Sequence, residues 1–142
     1  MSSRSEIISA LETTLKGIKK TAGYNTDAGD NVSIWKLENW TRDNLPAIDI
    51  RDTGVLQKES PNGVWDFYLK VDIICLDTSY LGLQALMADV YKAIYTDITL
   101  SGKSLYIRQP DEDFIEAAEE DFVYFAAKIS LKIAYRTAIG TT

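Results

Sequence analysis

The side chains that could do chemistry are few. The 142 residues include no histidine and one cysteine, Cys75, so the common zinc ligand sets, histidine-based triads and any intramolecular disulfide are excluded. Cys75 falls on the apolar phase of an alternating segment, where an unactivated thiol stays protonated, and it is read as structural. Asp111, Glu112, Asp113, Glu116, Glu119, Glu120 and Asp121 form the densest acidic run. Acid–base work by paired carboxylates needs a concave pocket and unequal pKa values. Nothing in this spacing supplies either, so the run reads as a solvated face or as a charged contact to a protein neighbour. Residues 25–30 imitate a calcium loop, but glycine falls at the fifth position and Lys36 at the twelfth, and the match fails. The isolated glycines fit neither a phosphate-cradling loop nor a dinucleotide fingerprint. No catalytic, cofactor or metal site is expected, and the chain reads as a non-enzyme.

Positive side chains have one conspicuous grouping. Lys128, Lys132 and Arg136 share a face of the last alternating segment with Tyr124, which suits a small nucleic-acid platform, a solvated surface or a subunit contact. Fifteen Lys and Arg against 21 Asp and Glu give a net charge of −6, so a broad basic surface for gripping duplex DNA or an anionic membrane is not expected, which leaves room for a local basic patch. Three tryptophans and eight tyrosines supply more ring surface than a minimal core needs. Trp35 and Trp40 flank one short strand and cannot both be placed by its two-residue repeat, so one of them is expected at a contact.

The elements that position these residues follow from periodicity. Ile7, Ile8, Leu11, Leu15 and Ile18 recur at helical spacing and predict a helix over 5–22, stopped by Gly23. Residues 23–31 read as a loop, 32–37 as a short strand, and 46–51 as a second strand opened by Pro46. The polar stretch 52–63, which carries Asp52 and Lys58, is long enough to project as a hairpin or arm. Trp65, Phe67, Leu69, Val71, Ile73 and Cys75 then occupy one face of a clear strand. Asp77, Thr78 or Ser79 can cap a second helix with its apolar stripe on Leu83, Leu86, Met87, Val90, Ala93 and Ile94. Residues 105–107 predict a short strand ended by Pro110 and Asp111, and 111–120 fit a short helix or an irregular loop. The last strand alternates from Val123 to Tyr135 over roughly 15 residues, long by ordinary standards. Either it is covered by self-association or a bulge divides it in two.

Length and pattern indicate a single α+β domain, with a mostly antiparallel or mixed sheet and two main helices on one face. No apolar run approaches the roughly 20 residues of a membrane-spanning helix. The opening residues lack an apolar signal core, so synthesis in the cytoplasm is the expectation.

The order of these pieces resembles the tail terminator, or minor tail completion, proteins of long-tailed bacteriophages and prophages. The resembling stretches are the helix over 6–20, the loop from Gly23-Tyr24 through Gly29, the strand Pro46-Ala47-Ile48-Asp49-Ile50, the strand over 65–76, the helix over 83–95 leading to Leu100-Ser101-Gly102, and the closing Ile133-Ala134-Tyr135-Arg136-Thr137. They span most of the chain, and the family has no catalytic motif. The resemblance implies a subunit that assembles into a closed ring, typically a hexamer, on the head-proximal end of the tail tube. There it would end tube polymerisation and face the head-completion or connector protein, while DNA passes through the lumen without specific binding. A heterologous interface of this kind would draw on the long strands and on residues 52–63, with residues 111–121, which include Asp111, Glu112 and Asp113, as a charged contact to a successive layer. The alternatives are another tube, head-closure or connector component, a non-viral interaction module, or an unfamiliar enzyme.

Overall fold

Alternation along the chain builds the sheet, and helical spacing builds the layer that covers it. A computed structural model describes residues 3–36, 42–59, 64–96, 98–100, 102, 104, 106–119 and 122–138. Its elements are α1 (Ser3–Lys16), β1 (Val32–Ile34), β2 (Ala47–Glu59), β3 (Val64–Asp77), α2 (Tyr80–Thr96), β4 (Tyr106–Glu119) and β5 (Phe122–Ala138). The strands form one sheet in the order β1-β2-β3-β5-β4. The short β1 runs parallel to β2 and the other pairs are antiparallel. The fold is α+β, a mixed and mostly antiparallel sheet with two helices packed on it.

The core lies between helices and sheet. Ile7, Leu11 and Leu15 of α1 and Leu83, Leu86, Val90 and Ile94 of α2 meet Ile48 and Ile50 of β2, Leu69, Val71, Ile73 and Cys75 of β3, and Ile129, Leu131 and Ile133 of β5. The in-phase pairs Ile73↔Ile129, Val71↔Leu131 and Leu69↔Ile133 put the apolar rows of β3 and β5 on that same face. Ser79 caps α2 by accepting a hydrogen bond from the Gly82 N–H at 3.0 Å, which satisfies a donor the helix itself cannot pair. Burial pushes the Cys75 thiol up to about 12, with the Glu112 charge adding to it, so it is inert as a nucleophile.

Four expectations need correction. The helix over 5–22 ends at Lys16; Ile18 stays buried in phase but is held by a turn bond from its N–H to the Leu15 carbonyl. Gly29 then comes so close to α1's exit that a Cβ would collide with the Lys16 and Ile18 carbonyl oxygens. The strand ended by Pro110 and Asp111 instead continues to Glu119, absorbing the proline at an irregularity between Arg108 and Asp111, as an edge strand allows. Residues 111–119 are therefore strand, neither helix nor loop. The division of the last strand by a bulge is also excluded, because β5 pairs with β3 without interruption from Phe125 to Ala138. The stretch 52–63 resolves into the outer half of a β2–β3 hairpin whose residues 60–63 lie outside the described set.

One buried group is unsatisfied among the described residues. Tyr135 stacks on Phe67 at 5.1 Å, and its hydroxyl has no hydrogen-bond partner. Tyr135→Phe keeps the ring and removes the stranded hydroxyl, so chemical denaturation is expected to find the variant as stable as the parent or about 1 kcal/mol more so. A loss above that size would mean that the hydroxyl has a partner.

Candidate interaction surfaces

The sheet has two open edges, and each carries a different set of exposed apolar side chains. On one side β1 covers only residues 48–50 of β2, so that 51–59, paired with β3 on their other side, have no strand neighbour on this side among the described residues. On the other side β4 is the outermost strand along its whole length. Unpaired edges of this length are templates for pairing with another chain.

At the first edge the sequence builds a fixed aromatic corner. Asp49, fully buried, accepts hydrogen bonds from Ser33 Oγ at 2.8 Å and the Lys36 N–H at 3.0 Å through Oδ1, and from Arg51 Nε at 2.6 Å through Oδ2. Arg51 Nη2 also donates to the Lys36 carbonyl at 3.1 Å, and its guanidinium lies 5.3 Å from the centroid of the Trp35 ring. Trp35 donates its indole N–H to Asp52 Oδ1 at 2.8 Å and its backbone N–H to the Ile50 carbonyl at 3.0 Å. These bonds hold Trp35 at φ 49°, a left-handed conformation that a bulky residue adopts only when its surroundings fix it. The ring nevertheless stays 44% exposed, beside Ile34 at 39%. A rigid half-exposed tryptophan is the usual anchor of an interface.

At the opposite edge Phe114 of β4 is 57% exposed. It stands opposite Ala127 while Phe125 stands opposite Glu116, so the two phenylalanines are diagonal neighbours on the helix-bearing face. Tyr80 meets Phe125 edge-on at 6.4 Å, and Leu81 beside it is exposed. Phe114, Phe125 and Tyr80 thus form an aromatic patch where α2 begins. Contiguous exposure of this kind marks a surface that another molecule covers.

The acidic run splits by strand alternation. Glu112 turns toward α2, where Tyr91 donates its hydroxyl at 2.6 Å; burial, then this bond and the Glu112 charge, raise the Tyr91 phenol well above its ordinary range. Asp111 and Asp113 face the other side, and Asp113 pairs with Lys128 at 3.8 Å. Both of these carboxylates are solvent-exposed. Of the remaining residues singled out by sequence, Trp40 lies outside the described residues, and so does the side chain of Lys58, whose backbone pairs with Asp66 in the hairpin. Tyr124 is buried with Ala47, Leu76 and Ala126 in a small cluster on the helix-free face, the face that also carries Lys128, Lys132 and Arg136 by the strand's alternation. Lys132 and Arg136 are exposed on that face. Arg51, Phe114, Phe125 and Tyr80 were not singled out from the sequence. Their only signal there was residue type, because diagonal neighbours across strands become visible only with the register.

No protein-family model matches the sequence, and no characterised protein sequence matches it significantly.

Proposed function

We propose that the chain is a structural subunit of a ring that caps the head-proximal end of a bacteriophage tail tube, ends tube polymerisation and offers the joining surface to a head-completion or connector protein. The observation that carries this reading is the asymmetry of the sheet edges. Trp35 and Ile34 stand at one edge, and Phe114, Phe125 and Tyr80 at the other. Two different self-directed surfaces on opposite sides of one subunit make a heterologous contact, and such contacts close into rings or run on as filaments. The choice of a closed hexamer, of tail tube and head-completion partners, and of a place in the virion tail comes from the resemblance of the element order. The excess of negative charge suits a passage that lets DNA move without holding it.

The test is to add the purified protein to its tail-tube protein during polymerisation and to measure tube lengths by negative-stain electron microscopy. The reading expects tubes that stop growing, with a ring of density on one end. Tubes that lengthen as though nothing had been added, with bare ends, would contradict it.

A further inference from the structure

The helix-free face of the sheet carries a charge arrangement that the ring does not explain. Lys70 of β3, Lys132 of β5 and Arg108 of β4 are in direct register, Lys70↔Lys132 and Lys132↔Arg108, so three cations lie side by side across three strands roughly 5 Å apart. Like charges directly opposite one another destabilise a sheet. The next row, Asp72↔Ser130↔Asp111, relieves this only in part. Ser130 spends its hydroxyl on Asp72 at 2.8 Å, and neither the Lys70 nor the Lys132 ammonium group has an ion-pair or hydrogen-bond partner among the described residues. Arg108 rests 5.7 Å from the centroid of the Tyr68 ring, which orients its fork without neutralising it.

The backbone is shaped at the same level. The β2–β3 register shifts between Asp52 and Gly54, opposite Val71 and Lys70, and the β4–β5 register shifts between Arg108 and Asp111, opposite Lys132 and Ser130. Gly54 adopts φ 152°, a conformation essentially reserved for glycine. Two irregularities in line across a sheet re-aim the side chains between them. A depression of about 340 Å³ lies there, lined by both charged rows and by Thr53.

We propose that this depression is an anion site that takes a phosphate group, with its oxygens on Lys70, Lys132 and Arg108. Several oxygens and up to two negative charges match three converging cations, and the arginine fork suits phosphate geometry. Asp111, exposed and without a partner among the described residues, accepts a hydroxyl of whatever carries the phosphate. The inference does not rest on the tail reading, because the site lies within a single subunit.

The test titrates the ¹⁵N-labelled full chain, at constant ionic strength held with chloride, with inorganic phosphate and separately with a short oligothymidylate. Saturable amide shifts at residues 70, 108, 130 and 132 are expected. Lys132→Gln should weaken them about tenfold, as for loss of one charge-assisted bond, while Lys16→Gln on α1 leaves them unchanged. Tighter saturation by the oligonucleotide would identify the source as a nucleic-acid strand, and equal or tighter saturation by inorganic phosphate would identify a free phosphate; either supports the site. Absence of saturable shifts there with both titrants, or indifference to Lys132→Gln in a variant whose spectrum is otherwise unchanged, would overturn it.

Discussion

Asp89→Ala is expected to lower the unfolding free energy by about 3 kcal/mol and the melting temperature by roughly 10 °C. Asp89 is buried in the middle of α2, where a carboxylate is tolerated only if its oxygens are occupied. Oδ1 accepts the Asn25 N–H at 2.8 Å; Oδ2 accepts the Thr26 N–H at 2.8 Å and the Thr26 hydroxyl at 2.7 Å. One side chain thereby satisfies the loop that leads from α1 into β1, some 63 residues away in sequence. Lys92 adds a second tie, donating to the Gly23 carbonyl at 2.8 Å with its ammonium 4.8 Å from the Tyr24 ring centroid. Alanine at 89 strands two backbone donors and a hydroxyl, whereas Thr26→Ala keeps both backbone donors paired, removes the hydroxyl's bond to Asp89 and the weak 3.4 Å bond it accepts from the Ala28 N–H, and should cost about 1–2 kcal/mol. Urea denaturation of both variants checks the ordering. A cost below 0.5 kcal/mol for Asp89→Ala, well under the range for such orphaned donors, would show that the loop does not depend on this lock.

Phe114→Asp should leave the fold intact and weaken self-association by about thirtyfold or more, since aromatic anchors at interface centres contribute about 2–4 kcal/mol. The ring is more than half exposed on an edge strand, so its replacement leaves little cavity in the subunit. A carboxylate there would have to be desolvated beside Phe125 and Tyr80 in any contact that covers the patch. Sedimentation velocity over a range of concentrations, with circular dichroism as the control for folding, makes the comparison. Unchanged association would remove the patch from the interface. Trp35→Ala tests the opposite edge in the same way, and a heterologous contact requires both to matter.

How far the sequence carried depends on how strongly each element is buried. β3, β5 and α2 were legible because each has one face wholly against the core, so period two or the helical period is written into residue type. β4 was not legible. It is an edge strand whose helix-side residues Glu112 and Phe114 escape full cover by α2, so neither of its faces is compelled to be apolar, and an acidic run with a proline conceals it. The early end of α1 escaped notice because Ile18 keeps the helical phase from outside the helix. Trp35 was legible as a contact candidate, but the bonds that fix it join Ser33, Asp49, Arg51 and Asp52 across two strands. The cation row was half visible: Lys132 stood with Lys128 and Arg136 on one strand, yet its neighbours in space are Lys70 and Arg108, and only the register supplies them.

The most direct test of the account is the absolute mass of the purified chain by light scattering, at low and high protein concentration and moderate salt. A heterologous contact that closes predicts a discrete species whose mass stops rising with concentration, near 95 kDa for six copies of the 15.9 kDa chain. A mass of one chain at every concentration, or one that climbs without limit, would contradict a closed ring built from these two edges.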